Sequence, residues 1–163
     1  MQRNHAAREG HHLRGRLLLL LCLLLSQGVS LAQSAADKEA VRRAVLDYVE
    51  GFYEGDSTRI ARGVHPDVNK RGFYIPRASQ SEEYVVEPMS YAQMFEYVRG
   101  VRESGETADA SAPKDIVIFD ILDQTASAKL TAFWGTDYLL LAKSNGAWKI
   151  WQVLWQTPPP GMP

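Results

Sequence analysis

Asp137 is the carboxylate whose neighbours best suit it to moving a proton. It follows Trp134 in a stretch of apolar residues. Burial among aromatic rings raises a carboxyl pKa toward the neutral range that a general base needs. The plainer account is a strand-end Asp that accepts backbone or arginine hydrogen bonds and stays ionised. His65 is the second candidate, because imidazole titrates near neutral pH and can shuttle a proton. His65-Pro66 also suits a turn that fixes a helix end. Seven tyrosines supply phenols. One of them facing a carboxylate across a pocket would suit enolate chemistry, whereas packing a ring and wetting its hydroxyl is the ordinary use. Lys70, Arg71 and Arg77 could meet an anionic ligand, or simply form a solvated basic loop. No nucleophile elbow, phosphate loop or dinucleotide fingerprint is present.

The stretch that must position Asp137 is 126–156. It reads as three strands, 126–134, 137–144 and 147–155. Asn145-Gly146 accepts the positive φ angles of a type I′ turn and joins the last two. Gly135-Thr136 is expected to join the first two as a Gly-X type II′ turn. Directly opposed residues share a face, so two-residue turns fix the pairing. Lys143 then opposes Trp148, Leu141 opposes Ile150, Leu139 opposes Gln152 and Asp137 opposes Leu154. On the first hairpin Trp134 opposes Asp137, Ala132 opposes Leu139 and Leu130 opposes Leu141. The inner face is mostly apolar, with Asp137 and Gln152 as polar exceptions. The outer face carries Phe133, Tyr138, Leu140, Trp151, Val153 and Trp155. Two apolar faces need two coverings. Helices supply one, and a second copy of the chain is expected on the other, since a monomer rarely leaves so large a patch bare. The pocket between helices and sheet is expected to involve Trp134, Gln152, Tyr48, Phe95 and Trp148. Trp148 falls apart from Trp151 and Trp155, so core plus interface accounts for the three better than a stacking platform.

The chain has 163 residues and 18 Lys and Arg against 19 Asp and Glu. Arg14 and Arg16 precede a leucine run at 17–25 broken by Cys22, and Ser30-Leu31-Ala32 follows. A basic start, a short apolar core and small residues at the end describe a secretory signal peptide, cleaved after Ala32. The run is too short to span a bilayer comfortably, so no stable membrane anchor is expected after cleavage. Residues 1–32 hold four Arg and one Glu, which leaves 14 basic and 18 acidic residues. That balance argues against nucleic acid. Cys22 is the one cysteine, and His65 the one histidine beyond residue 32. Neither a disulfide framework nor a His/Cys zinc site follows, and no cofactor is expected. A secreted or periplasmic single domain over 33–163, with its core about 37–156, fits this length.

Within it, Val41, Ala44, Val45, Tyr48, Val49 and Phe52 recur at helical steps. Asp37 is expected to cap that helix and Gly55 to end it. Asp56 or Ser57 caps a second helix through about Gly63, with Ile60 and Val64 inward. Phe73-Tyr74-Ile75 reads as a short strand or buried turn, and Tyr84-Val85-Val86 as a short edge strand stopped by Pro88. Ser90 caps a third helix with Met94, Phe95 and Val98 on its apolar side. Residues 103–113 read as a loop. A strand at 115–122 puts Ile116, Ile118 and Asp120 on one side and Val117, Phe119 and Ile121 on the other. The class is α+β, with helices on one face of a curved antiparallel sheet.

Tyr53-Glu54-Gly55-Asp56, Val64-His65-Pro66-Asp67 and the closing hairpin from Asp137 through Ile150 carry a resemblance to the nuclear transport factor 2-like superfamily. Within it the chain is most similar to the putative lumazine-binding family, over roughly 37–156. The resemblance implies a cone-shaped α+β fold with three N-terminal helices packed on the sheet, and protomers paired through sheet faces. The superfamily holds binding proteins, ketosteroid isomerase-like and dehydratase-like enzymes, and structural subunits, so fold alone does not choose among them. The leading expectation is an exported domain that binds a small molecule in an apolar pocket. The alternatives are an enzyme using Asp137 or His65 as base, and a structural dimer whose cone is filled by side chains.

Overall fold

The computed structural model describes residues 35–76 and 83–158. The expected signal peptide at 1–32 and Arg77 therefore lie outside the described residues. Three helices and six strands follow in the order α1 (35–54), α2 (Ser57–Gly63), β1 (Val64–Tyr74), β2 (Val85–Met89), α3 (Tyr91–Ser104), β3 (Asp115–Ile121), β4 (Thr125–Ala132), β5 (Gly135–Ser144) and β6 (Ala147–Gln156). The six strands form one sheet in the order β2-β1-β6-β5-β4-β3, antiparallel throughout except for β1 beside β6.

The helices follow their local signals. Val41, Val45, Tyr48 and Val49 of α1 are fully buried, as the apolar spacing predicts. Helix α1 already runs at residue 35, so Asp37 lies in its first turn rather than before it. Gly55 ends α1 at φ 69°. The Asp56 side chain then accepts hydrogen bonds from the Thr58 and Arg59 amides and starts α2. Ser90 and Gln93 form a reciprocal capping box on α3, which satisfies two orphan amides of its first turn. Met94 and Val98 point from α3 into the core.

The sheet departs from expectation in places that decide the site. Strand β1 is eleven residues long, where the sequence suggests three. Its middle, 65–71, is polar apart from Val68 and Pro66, so pairing to β6 and β2 makes the strand there, not propensity. Its pairing with β6 is irregular between Val64 and Asn69, around the proline that offers no amide. Strand β2 continues through Pro88 to Met89, which an edge strand tolerates.

The Asn145-Gly146 turn is as expected, with both residues at positive φ. The other turn is not. It falls at Phe133-Trp134, so Ala132 pairs with Gly135, Leu130 with Asp137 and Ala128 with Leu139. Two contacts from outside the hairpin hold it there. The Phe133 amide donates to Tyr53 Oη at 2.9 Å, and the Phe133 ring stacks on Tyr53 with centroids 5.1 Å apart. Gly135 is needed in the strand, since a Cβ there would lie 2.0 Å from the Gln156 carbonyl oxygen. The turn moves by two residues and each partner by four, an even number, so Leu130, Ala132, Asp137, Leu139 and Leu141 keep their inner side.

Strand β6 carries a second correction. Ile150 pairs with Leu141, but Gln152 pairs with Leu140 and Val153 with Leu139. Trp151 is the extra residue of a bulge, and beyond it every side chain changes face. Val153 is fully buried and Trp155 packs against the core, whereas Gln152 and Leu154 are exposed. Val153 and Trp155 thus leave the outer face, and Gln152 leaves the pocket. A smaller bulge between Ile118 and Asp120 likewise turns Ile121 to the side of Ile116 and Ile118.

Candidate functional site

The site is assembled where β1, β5 and the end of β6 meet α1. Tyr48 projects from α1 on the same stripe as Val41, Val45 and Phe52. Asp137 stands on the inner side of β5 and is wholly buried. Lys70 stands on the inner side of β1, in the phase set by buried Val68 and Gly72. The Tyr48 hydroxyl donates to Asp137 Oδ1 at 3.3 Å. The Trp134 indole N–H donates to Asp137 Oδ2 at 2.7 Å. The Lys70 ammonium donates to the Tyr48 oxygen, and its Nζ lies 4.0 Å from Asp137 Oδ1. A short chain of hydrogen bonds therefore runs from Lys70 through Tyr48 to Asp137.

Four rings surround the Lys70 ammonium, with centroids 5.0 Å away in Tyr48, 5.1 Å in Phe52, 5.7 Å in Trp155 and 6.0 Å in Trp134. Ring faces attract a cation at these separations. Gly72 gives Trp155 its place. The two are paired across β1 and β6, and a Cβ on Gly72 would lie 2.1 Å from the Trp155 ring. A cleft of about 240 Å³ opens over this floor, lined by Phe52, Lys70, Glu87, Pro88, Met89, Gln93, Tyr97, Phe133, Trp134 and Trp155. Tyr97 and Phe133 remain about half exposed at 47% and 55%, so aromatic surface faces the opening.

Burial dominates the electrostatics. It lowers the Lys70 pKa to about 8, although Asp137 pulls in the other direction. It raises the Asp137 pKa, partly opposed by Lys70, Trp134 and Tyr48. It pushes the Tyr48 phenol well up, with help from the Asp137 charge and hydrogen bond. The gross attraction of two unit charges 4 Å apart is about 4 kcal/mol at an effective dielectric near 20. Removing the two ions from water costs several kcal/mol each. The pair is therefore no net source of stability, and its placement calls for another account.

The residues expected from sequence divide. Trp134 and Tyr48 meet at Asp137, Trp134 on the cleft wall and Tyr48 beneath it. His65 does not join them: its ring stacks on Trp151 at 3.7 Å, and its Nδ1 accepts the Asp67 amide. Because Val64 and Ile150 face inward, both stacked rings lie on the other side of the sheet from Asp137. Phe95 packs on Tyr91 at 4.8 Å, and Trp148 is buried near the Asn145-Gly146 turn; neither lines the cleft. Trp155, expected outside, walls it. Phe133, expected on the outer face, sits at the mouth. Tyr138 and Leu140 do face outward, 56% and 51% exposed.

Lys70 is the residue whose role sequence reasoning missed. It reads as part of a solvated basic loop, whereas Arg71 beside it is the exposed one. The available signal is the alternation of Val68, Lys70 and Gly72, with the lysine in the apolar phase. Among the described residues no group of three or more His, Cys, Asp or Glu is placed to hold a metal ion.

The comparisons with known proteins agree with this architecture. A nuclear transport factor 2-like protein of unknown function from Shewanella baltica OS155 is 20% identical, with a TM-score of 0.58, over 77% of this chain and 96% of that one. One from Silicibacter pomeroyi DSS-3 is 15% identical, with a TM-score of 0.56, over 77% and 98%. A protein from Novosphingobium aromaticivorans DSM 12444, described as a Putative Scytalone Dehydratase, is 13% identical, with a TM-score of 0.51, over 77% and 86%. At these identities the likeness is one of fold. The search of curated proteins found no match. The family model described as Putative lumazine-binding matches residues 36–156, and the chain belongs to that family.

Proposed function

We propose that this protein binds a small, planar, weakly polar molecule in the Lys70 cleft. The observation that carries the reading is the cleft itself, aromatic on several sides, with a single buried ammonium on its wall. Its volume, about 240 Å³, lies below the range of about 300–1,000 Å³ usual for drug-sized ligands, so a ligand of about one ring fits. Glu87 at the rim and Asp137 beneath outnumber Lys70, which favours a neutral ligand over an anion. A filled interior, closed by Trp134, Phe95 and Trp148, agrees poorly with this cleft. The test is titration with benzyl alcohol, followed by tryptophan fluorescence. Saturable quenching is expected, weakened about tenfold, or 1.4 kcal/mol, by Gly72→Ala, which displaces the Trp155 wall. A linear, unsaturable response identical in the variant would sink the reading.

A catalytic reading in the manner of an isomerase or dehydratase is favoured by one observation, the Lys70–Tyr48–Asp137 chain. Asp137 itself is enclosed, with both oxygens engaged, so it would act on a ligand only through Lys70 or Tyr48. The position of His65 gives it no part in that chemistry.

Export by the 1–32 segment and pairing of two copies belong to the same reading. The corrected outer face supports the pairing. Val117, Lys129, Tyr138 and Leu154 form a continuous row across four strands, and Val117, Phe119, Tyr138, Leu140 and Leu154 are each about half exposed. Sedimentation of Tyr138→Glu/Leu140→Glu is expected to show monomers. A wild type that is itself monomeric at micromolar concentration, or an unaltered oligomer in the variant, would refute the interface.

A further inference from the structure

We propose that Lys70 is a carbonyl-capturing amine, which condenses with a small neutral aromatic aldehyde in the cleft to form a Schiff base. The inference rests on the binding reading above and goes beyond it to the ligand class and a covalent step.

Three features place the chemistry at this nitrogen. First, the Lys70 side chain is almost wholly buried yet lines the cleft. A desolvated lysine in an apolar pocket is the form in which an amine becomes a useful nucleophile. Second, the chain from Lys70 to the Tyr48 hydroxyl to Asp137 Oδ1 gives the ammonium proton somewhere to go. Third, the walls at Phe52, Trp134 and Trp155 suit a flat ring whose carbonyl carbon points at Nζ. The titratable groups beside Nζ are Tyr48 from α1 and Asp137 from β5, and those that share the cleft lining with Lys70 are Glu87 from β2 and Tyr97 from α3.

The step balances without any added oxidant or reductant. The ammonium passes a proton to the Tyr48 oxygen as the Tyr48 hydroxyl passes its own to Asp137. The free amine pair attacks the carbonyl carbon, a C–N bond forms, and the C=O electrons move to oxygen. The relayed proton returns to that oxygen, a second proton follows from nitrogen, and the C–O bond breaks to release water. Ammonium and aldehyde have become a protonated imine and water, with charge conserved. Burial that holds the amine near pKa 8 leaves about one-tenth of it free at pH 7.

The experiment treats the full chain with benzaldehyde and sodium cyanoborohydride, which reduces the imine in place, and maps the benzylated lysines by peptide mass spectrometry. Labelling at Lys70 is expected at least ten times faster than at exposed Lys38, with a rate that rises through about pH 8 and is suppressed by benzyl alcohol. Lys70→Arg should abolish that label, and Tyr48→Phe should slow it while leaving Lys38 unchanged. The peptide map of the wild type suffices even where a variant fails to fold. Labelling at Lys70 no faster than at Lys38, while benzyl alcohol still quenches tryptophan saturably, would overturn the amine proposal and leave the cleft reading standing. Absence of both would overturn the two together.

Discussion

Helix α1 meets charge on two sides, and the two clusters are handled differently. On one side Asp47 receives Arg62 at 2.9 and 3.1 Å and Arg43 at 3.1 Å. Glu50, one turn on, receives Arg43 at 2.7 Å, Lys114 at 3.4 Å and Arg59. On the other side Tyr48 reaches Asp137 and Lys70 with one cation and four rings. In the first cluster burial pushes Glu50 up, but Arg43, Arg59 and Lys114 outweigh it and hold its pKa below the ordinary value. In the second cluster burial wins and Asp137 is raised. Glu50 keeps some contact with solvent and has three cations beside it, whereas Asp137 is fully buried with one, and both differences act in the same direction. The arginine cluster fastens α2 and the start of β3 to α1, while in the lysine cluster burial shifts Lys70 and Asp137 toward neutrality, as is common at sites of chemistry.

The largest expected effect breaks the second cluster. Lys70→Met should cost about 3 kcal/mol in urea denaturation, because it strands a buried carboxylate. Adding Asp137→Leu should recover at least half of that loss, since a buried pair is often replaceable by apolar residues. A single substitution no worse than the double would show that Asp137 is not electrostatically dependent on Lys70. Next, Asp47→Asn should cost about 2 kcal/mol at low salt through lost charged hydrogen bonds. That loss should shrink near 1 M salt, where the screening length falls to about 3 Å, and the Lys70→Met loss should not. Equal salt sensitivity in both clusters would erase the distinction.

The smallest effect is the most direct check of sign. Glu50→Gln should cost about 1 kcal/mol near pH 7. The folded pKa of Glu50 lies below its unfolded value, so its contribution is present above the unfolded value and fades as pH falls through the folded one. Wild type and Glu50→Gln should therefore converge in acid. Asp137 is raised, so its contribution is full below the unfolded value and is lost as pH rises through the folded one. Asp137→Asn should accordingly gain on the wild type as pH rises from about 4 toward neutrality. Parallel trends in the two variants, followed by denaturation across pH, would contradict the opposite shifts.

Much of the architecture is legible in local pattern. The α1 stripe, the Asp56 and Ser90 caps, Gly55 and the Asn145-Gly146 turn all depend on residues within a few positions of one another, and each stands where its spacing indicates. The site is less legible. Tyr48 is readable from the α1 stripe, and Asp137 because its strand parity survives the displaced turn that carries Trp134 beside it. Lys70, Trp155 and Gly72 are not, since each depends on a strand pairing far along the chain.

The order of elements, the α+β class and the family likeness were thus fixed by short-range chemistry, because helix stripes, caps and positive-φ turns are properties of neighbouring residues. Tertiary structure alone decided which face β6 shows beyond Trp151, where the β4–β5 turn falls, and that Lys70 lies inside. A single-residue bulge reverses every side chain after it, and only the partner strand and the room Gly72 leaves for Trp155 determine where that reversal occurs, while the Tyr53 contact holds the turn at Phe133.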